Sequence, residues 1–365
     1  PIVLIDEIPW SEMNFNNELT LQCEDEFNKS IEDYFRKQIY KWKHIPADMV
    51  LKTYFAVPKI IKTTGIGVGR LVNENQQTAQ AHTYVDQFQH DEDIEKLHNE
   101  IISYDLESTM HNMHKVSEMI GDILPVKITG EETGYGLGCK TIDDIVFYRG
   151  LDSFFYDFIE RPEFMHRLIG KLTDIFIDKI DQYDKLGLFD GDAYYIHCTS
   201  ALTNDLIPNQ THVRAKDVWG RGLAQMFGNF SPEMHDEFDI QYMIKAMAPF
   251  GLIYYGCCEP LDNKIHILKQ IRNLRKISIT PWANIDSAAE IIQNEYVIAS
   301  KPSPSHFASG ILDEQAARKE LKRIVDACKR NGSSCDIVLK DITTVSNNPE
   351  NLFRWEKIAM EEVNK

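Results

Sequence analysis

The sequence predicts an α/β protein, specifically a (β/α)8 TIM barrel with an N-terminal helical extension. From about residue 193 onward, short apolar segments alternate with longer segments of helical periodicity, which is typical of parallel βαβ units. Seven strands can be counted along the whole chain, and a chain of 365 residues suits a barrel with one further strand and a leading extension. A doubly wound sheet is the structural alternative.

The N-terminal part of the chain is polar and acidic, with apolar side chains at three- to four-residue steps around residues 19–40. This spacing predicts an amphipathic helix. We therefore assign residues 1–48 to a helical extension and residues 49–365 to the barrel. No linker or low-complexity tract divides the chain, so residues 1–365 are predicted to form a single domain.

Local patterns place the remaining elements. One proline closes the first predicted strand, and another stands near the first turn of the longest predicted helix. Residues 64–92, rich in Gly, Gln and Asn, are predicted as loop or hairpin and would supply the eighth strand. Strands are otherwise predicted at 50–58, 125–130, 193–197, 252–255, 276–280, 296–299 and 336–340. Helices are predicted at 91–120, 163–186, 239–247, 264–270, 287–293, 313–331 and 349–363.

The bulk composition argues against several classes of protein. Lys plus Arg number 39 against 56 Asp plus Glu, and a net charge of -17 disfavours nucleic-acid partners. No apolar run approaches the ~20 residues of a membrane helix, and the N-terminus lacks signal-peptide features, so a cytoplasmic location is expected. The seven cysteines are odd in number and scattered, which favours reduced thiols over a disulfide framework.

The strongest candidate for chemistry is the segment that follows the strand at 252–255. Gly256 ends that strand, and Cys257, Cys258 and Glu259 follow directly. Barrels place their chemistry at the carboxyl ends of strands, and zinc accepts thiolate and carboxylate ligands. We predict Cys257 and Cys258 as candidate metal ligands and Glu259 as a catalytic residue. The alternative is that one cysteine packs inward as a small hydrophobe.

Three further residues at predicted strand ends complete the candidate catalytic set. His197 is a candidate ligand or general base, and His306 lies on a proline-stiffened loop. Lys340 ends the last strand, beside Asp341. The structural alternatives are a hydrogen-bonded histidine in the barrel wall for His197 and a purely structural ion pair for Lys340.

The candidate substrate-binding residues are Tyr195, Trp219, Gln225 and Tyr255. Aromatic side chains at strand ends would wall a pocket for a large, flat ligand. Their alternative role is the default one for aromatic residues, which is packing in the core.

Several segments resemble the uroporphyrinogen decarboxylase superfamily. They are RGLDSFFYDFIERPEFMH at 149–166, DVWG at 217–220 and FSPEMHDEF at 230–238, and residues 349–362 fit its last helix. The resemblance covers roughly residues 120–365 and implies a (β/α)8 barrel with its site at the carboxyl face. The arginine-rich motif by which the decarboxylases bind porphyrinogen carboxylates is absent, since the corresponding strand reads YFAVP at 54–58.

The chain also resembles the other large branch of that superfamily, the corrinoid-linked methyltransferases. These hold zinc with a His-x-Cys and a later Cys, and the zinc activates a thiol for methyl transfer. Cys257 matches the first family Cys, whereas Tyr255 stands at the His position and Lys340 and Asp341 stand where the later Cys is expected.

The resemblance implies a methyltransferase that moves a methyl group between a corrinoid protein and a small, thiol-type substrate. It implies zinc as a cofactor and a corrinoid supplied by a partner protein, because this chain has no Asp-x-His-x-x-Gly motif. Two alternatives stay open. One is a metal-free decarboxylase or lyase of the same superfamily, and the other is a non-catalytic corrinoid- or tetrapyrrole-binding barrel. A small-molecule substrate is expected, and membrane partners are not.

Overall fold

The computed structural model describes residues 1–72, 83–132, 137–207, 212–307 and 310–365. Its centre is a six-stranded parallel sheet with the strand order β1-β12-β11-β10-β9-β8. The strands are β1 (Ile2–Ile5), β2 (Phe55–Pro58), β3 (Ile60–Thr63), β4 (Ile102–Asp105), β5 (Val126–Thr129), β6 (Tyr195–Ile196), β7 (Thr199–Ser200), β8 (Trp219–Gly222), β9 (Leu252–Tyr255), β10 (Leu274–Ile279), β11 (Val297–Ser300) and β12 (Ser334–Leu339).

Helices follow most strands of the central sheet. They are α1 (Glu26–His44), α2 (Leu106–Ile120), α3 (Thr141–Arg149), α4 (Leu151–Glu160), α5 (Pro162–Leu186), α6 (Pro232–His235), α7 (Gln241–Met247), α8 (Ile265–Leu268), α9 (Ile285–Ile292), α10 (Glu314–Asn331) and α11 (Glu350–Val363). Asp25, Asp105, Asn284 and Asp313 cap four of them by accepting backbone N–H groups of the first turn. None of the described helices combines the length and apolar composition that crossing a bilayer requires.

The central sheet is buried on both faces. Because side chains alternate along a strand, Ile253, Ile277, Ile298 and Ile337 all lie on one face, within the cluster that includes residues of helices α9, α10 and α11. The opposite face carries a second apolar cluster and several polar side chains, and β6 and β7 lie against it. The predicted α/β class with parallel strands is confirmed.

The described residues do not form a closed ring of eight strands. Strand β2 pairs with β5 in a separate two-stranded parallel sheet, and β3 pairs with β4 in an antiparallel one. Single bridges join Glu131 to Phe189 and Cys139 to Gly222. The TIM barrel and the single-domain boundaries therefore stay predictions.

Two strands of the central sheet were not predicted. Strand β1 falls in the segment assigned to the helical extension, yet it pairs with β12 along its whole length. Strand β8 carries Gly220 and Gly222, which weaken a strand pattern. A Cβ at Gly220 would lie 2.7 Å from the Phe250 ring, and one at Gly222 would lie 2.5 Å from Met243 Sδ. Close packing of α7 and the segment after it on this strand requires glycine at both positions.

The strand predicted at 193–197 is instead a small hairpin. Strands β6 and β7 pair antiparallel, and His197 and Cys198 form the turn between them. Local β-propensity could not distinguish this hairpin from a barrel strand, since both begin with the same apolar residues.

The helix predicted at 91–120 is divided. A 3-10 helix covers Asp91–Lys96, strand β4 follows, and only Leu106–Ile120 is α-helical. Within the predicted loop or hairpin at 64–92, Val72 and Tyr84 form one antiparallel bridge, while residues 73–82 lie outside the described residues.

Candidate metal centre

The carboxyl ends of four central strands bring reactive side chains to one edge of the sheet. Glu7 follows β1, Cys257 follows β9, Lys301 follows β11 and Lys340 follows β12. Parallel strands place their carboxyl ends at a common edge, which is where open and closed α/β sheets build their sites. The β6–β7 hairpin adds the turn residue His197 to this edge.

His197, Cys198 and Cys257 form a compact group. One potential ligand atom from each residue lies within 4.8 Å of the other two. Cys257 Sγ is 3.6 Å from His197 Nε2. All three side chains are buried. Imidazole nitrogen and two thiolates are the ligand types that zinc prefers, and three protein ligands are typical of a catalytic zinc site that keeps one position open.

Cys258 lies beside this group but on its exposed side. Its Sγ is 3.8 Å from Cys257 Sγ and 3.9 Å from Asp341 Oδ2. It is the exposed member of the adjacent pair. The predicted ligand Cys257 therefore belongs to the compact group, whereas the place predicted for Cys258 is taken by Cys198.

Three non-glycine residues of this edge adopt left-handed backbone conformations. Cys198 has φ of 75°, Asp341 has φ of 54° and Glu7 has φ of 49°. Such conformations cost free energy in a residue with a Cβ, and they persist where the surroundings hold them. Their concentration around the cysteines supports a functional interpretation of the edge.

The backbone of Cys257 is held on both sides. Its N–H donates to Glu259 Oε2 at 2.9 Å, and its carbonyl oxygen accepts from Ser278 Oγ at 2.7 Å and from Lys301 Nζ. Gly256, at φ of 106°, turns the chain out of strand β9 immediately before. The predicted catalytic residue Glu259 is itself buried and serves as a backbone anchor, because its second oxygen accepts the N–H of Ala224 at 3.3 Å.

Glu7 and Lys340 surround the group with charge. Glu7 Oε1 lies 3.7 Å from His197 Nδ1, on the ring edge opposite to Cys257. Carboxylates in this position orient metal-binding histidines. Lys340 Nζ donates to Cys198 Sγ at 3.1 Å and lies 3.5 Å from Glu7 and 3.3 Å from Asp341.

The electrostatics favour a thiolate at Cys257. Hydrogen bonds with Cys198 and Cys258 lower the pKa of Cys257, and His197 and the charge of Lys301 act in the same direction against the cost of burial. Burial raises the pKa of Cys198 and lowers the pKa of His197. A neutral imidazole beside a thiolate is the protonation state in which these groups bind a metal.

The pKa values of the other charged groups near this edge are shifted as well. Burial works against a charged Lys340, but the negative charges of Cys198 and Cys257 raise its pKa overall. Burial and a hydrogen bond with Glu7 raise the pKa of Asp341. For Glu259, burial raises the pKa to about 7.

Three of the predicted substrate-binding residues lie around the hairpin or the loop after β8. Tyr195 Oη accepts the N–H of Cys198 at 2.8 Å, and Trp219 Nε1 donates to the carbonyl oxygen of Ala201 at 3.0 Å. The side chain of Gln225 lies 3.4 Å from a carboxylate oxygen of Asp143. These contacts fix the hairpin and the loop, and whether the residues also touch substrate stays a prediction.

Tyr255 and His306 are not brought to the group. Tyr255 lies on the opposite face of the sheet, fully buried, where its Oη donates to Asp239 at 2.5 Å and lies 2.7 Å from His235 Nε2. Side chains alternate along β9, so Tyr254 points to the face on which the β6–β7 hairpin lies and Tyr255 points to the other face. His306 pairs with Glu320 of α10 at 2.8 Å. We correct both assignments to structural roles.

Cys198 and Glu7 are the members of the site that sequence reasoning did not select. Cys198 follows His197 directly, and adjacent residues on the strand predicted there would point to opposite faces. In the structure both residues lie in a turn, which allows both side chains to meet Cys257. Glu7 gave no local signal, since the strand before it was not predicted.

Several cavities lined by described residues lie outside this group. One of about 380 Å³ is lined by residues that include Arg70, Lys140 and Lys179. Another of about 480 Å³ opens at the amino ends of the strands, near Ile2 and Lys276. Neither of these two linings contains a cluster of metal-ligand side chains. The candidate centre is therefore identified by the side chains of His197, Cys198 and Cys257 and not by the size of a cavity.

Comparison with known proteins adds a distant structural likeness. No protein-family model matches the chain, and no curated protein matches it. A solved structure described as a methyltransferase from Methanosarcina mazei superposes with a TM-score of 0.48 at 10% sequence identity, covering 90% of this chain and 83% of that one. A likeness at this level supports no statement about activity, so the function must be argued from the residues.

Proposed function

We propose that the chain is a zinc-dependent methyltransferase that moves a methyl group between a corrinoid protein and a small thiol. The observation that carries the proposal is the group of His197, Cys198 and Cys257 at the carboxyl edge of a parallel sheet. The sequence resemblance to corrinoid-linked methyltransferases predicts one histidine and two cysteines as zinc ligands. This chain offers that set with Cys257 at the position that the resemblance implies and with His197 and Cys198 from another part of the chain.

We further propose that the central sheet belongs to a (β/α)8 barrel whose mouth holds this group. Six strands already run parallel, and the bridge between Cys139 and Gly222 extends the sheet beyond β8. The pair of β2 and β5 would supply further strands.

The residues present fit a zinc ion in type, and His197 and Cys257 also fit it in protonation. Zinc bound here would lower the pKa of a substrate thiol so that a thiolate exists at neutral pH. His197 would bind through Nε2, since Nδ1 faces Glu7. Lys340 offsets the negative charge that two buried thiolates bring to the site. Burial of the group excludes water, which strengthens each of these charge interactions.

Asp341 and Cys258 are placed to meet the substrate. Both are exposed and lie at the solvent side of the buried group. The corrinoid would approach from the same side on its own protein, because Cys258 and Asp341 are the exposed residues beside the buried group.

Elemental analysis of untagged protein, purified without chelator, tests the proposal. We expect near-stoichiometric zinc in the wild type and marked loss of zinc in Cys257→Ser and Cys198→Ser. Cys328→Ser is the matched control, since Cys328 is a buried cysteine of α10 at another place in the fold. Cys258→Ser should keep its zinc, which separates the observed ligand set from the pair Cys257 and Cys258.

A second measurement addresses the reaction. Methylcobalamin and a small thiol are supplied, and the thioether product is quantified by mass spectrometry. Product that requires both zinc and Cys257 supports the proposal. A wild-type protein that takes up no zinc on reconstitution refutes it, and acid–base chemistry by Lys340 and Asp341 would then be examined.

A further inference from the structure

A buried ion pair lies beneath the β6–β7 hairpin, on the face of the central sheet that the hairpin covers. Lys276 of β10 and Asp336 of β12 are 4% and 3% exposed, and Lys276 Nζ lies 2.6 Å from Asp336 Oδ2. Strand β11 separates β10 from β12, so the two side chains reach towards each other across it. Burying two charges is costly, and an ion pair in such a place is weak evidence of stabilisation by itself.

The ion pair holds the hairpin directly after its turn. Asp336 Oδ2 accepts from Thr199 Oγ1 at 2.7 Å, from the N–H of Ser200 at 3.0 Å and from Ser200 Oγ at 2.8 Å. Lys276 Nζ donates to the carbonyl oxygen of Ser200 at 2.7 Å. Ser200 is therefore held through backbone and side chain by both partners of the pair, and Thr199 is held through its side chain by Asp336.

The hairpin needs such support. Each of its strands has two residues, and an isolated two-stranded hairpin is marginally stable at best, even when it is longer. Its turn places Cys198 in a left-handed conformation, which adds strain. The proposed ligands His197 and Cys198 lie on this turn, two residues and one residue before Thr199.

We propose that Lys276 and Asp336 are positioning residues for the metal centre, which hold the β6–β7 hairpin so that His197 and Cys198 meet Cys257. The inference rests on the proposed function, because it assigns the pair to the metal centre described there. A metal site tolerates little misplacement of its ligands, and the groups that orient ligands typically contribute 10- to 100-fold in metal affinity.

Asp336→Asn tests the inference with cobalt(II) and zinc(II) as the probes. Cobalt(II) absorption reports thiolate ligation, and competition with a chromophoric chelator gives the zinc dissociation constant. We expect zinc affinity to fall by about 10- to 100-fold. The thiolate-to-cobalt charge-transfer band per bound cobalt should also fall, because Cys198 no longer reaches the ion. A role in stability alone would leave that band unchanged.

The matched control is Asp157→Asn, which breaks another buried ion pair. Asp157 accepts from Arg149 Nε at 2.7 Å between α3 and α4. This variant should keep the wild-type zinc affinity and cobalt spectrum. Equal affinity and equal spectra in Asp336→Asn and wild type would overturn the inference.

A double-mutant cycle shows whether Asp336 acts through the hairpin. Thr199→Val removes one hydroxyl donor to Asp336 and keeps the ion pair, so it also serves if Asp336→Asn fails to fold. We expect it to weaken zinc binding by about 2- to 10-fold. Combined with Asp336→Asn, the loss should be smaller than the product of the two single losses. Strictly multiplicative losses would refute the route through Thr199.

Failure of the metal centre and failure of the inference are distinguishable. A wild-type chain that binds neither ion refutes the proposed centre. Phenylarsine oxide, which bridges two neighbouring thiols, then tests the positioning without metal, in a Cys258→Ser background that removes the adjacent pair. Asp336→Asn should lower the bridging of Cys198 to Cys257 relative to Asp157→Asn. Equal bridging in both variants would overturn the inference.

Discussion

Asp143 provides a stability test that is independent of the metal centre. Its side chain lies in the first turn of α3, where it accepts the backbone N–H of Met226 at 2.9 Å and that of Gln225 at 3.2 Å. These residues belong to the loop after β8. Burial raises the pKa of Asp143 from 3.8 to about 6, although both hydrogen bonds act in the opposite direction.

The sign of the pH effect follows from that shift. Because the pKa is higher in the folded than in the unfolded chain, folding takes up a proton between these two values. The stabilising contribution is complete below the unfolded-state pKa and is lost as the pH rises through about 6. Between about pH 7 and about pH 5, the linkage relation gives a gain of about 1 kcal/mol in the free energy of unfolding.

Asp143→Asn removes this titration. Equilibrium urea unfolding at about pH 7 and about pH 5 measures the free-energy difference between wild type and variant. That difference should be larger by about 1 kcal/mol at the lower pH, because only the wild type gains stability there. The exposed residue Asp152 of α4 supplies the control, and Asp152→Asn should differ from the wild type equally at both values. A wild-type advantage over Asp143→Asn that stays constant would show that Asp143 is ionised throughout, which refutes the reasoning.

Further predictions concern the two faces of the sheet and the predicted site. Tyr255→Phe removes the buried hydrogen bond to Asp239 and should lower the free energy of unfolding by about 1–3 kcal/mol with unchanged zinc content, as urea unfolding and elemental analysis would show. Gly256→Ala should reduce zinc content, because the new Cβ would lie 2.7 Å from Ser278 Cβ at φ of 106°; full zinc occupancy would contradict this. His306→Gln should retain zinc and methyl transfer, and loss of either would return this histidine to the site.

The sequence pattern predicted most of the strands and helices in the second half of the chain. Strands β9, β11 and β12 and helices α10 and α11 lie within two residues of their predicted limits. Their patterns are strong because each strand is buried on both faces and each helix on one face. Burial therefore requires continuous apolar runs in the strands and apolar residues at three- to four-residue spacing in the helices. Cys257 was located in the same way, because Gly256 ends the apolar run of the strand and Cys257 follows it directly.

The side chains that meet Cys257 could be identified only from the folded arrangement of the strands. Glu7, His197 and Lys340 lie far apart along the chain, and their proximity follows from the parallel order β1-β12-β11-β10-β9 and from the hairpin beneath it. The order of the strands depends on packing between residues that are far apart in the sequence, so local β-propensity does not predict it. The same holds for Cys198, because its inward position depends on a strained turn held by Lys276 and Asp336 on two other strands.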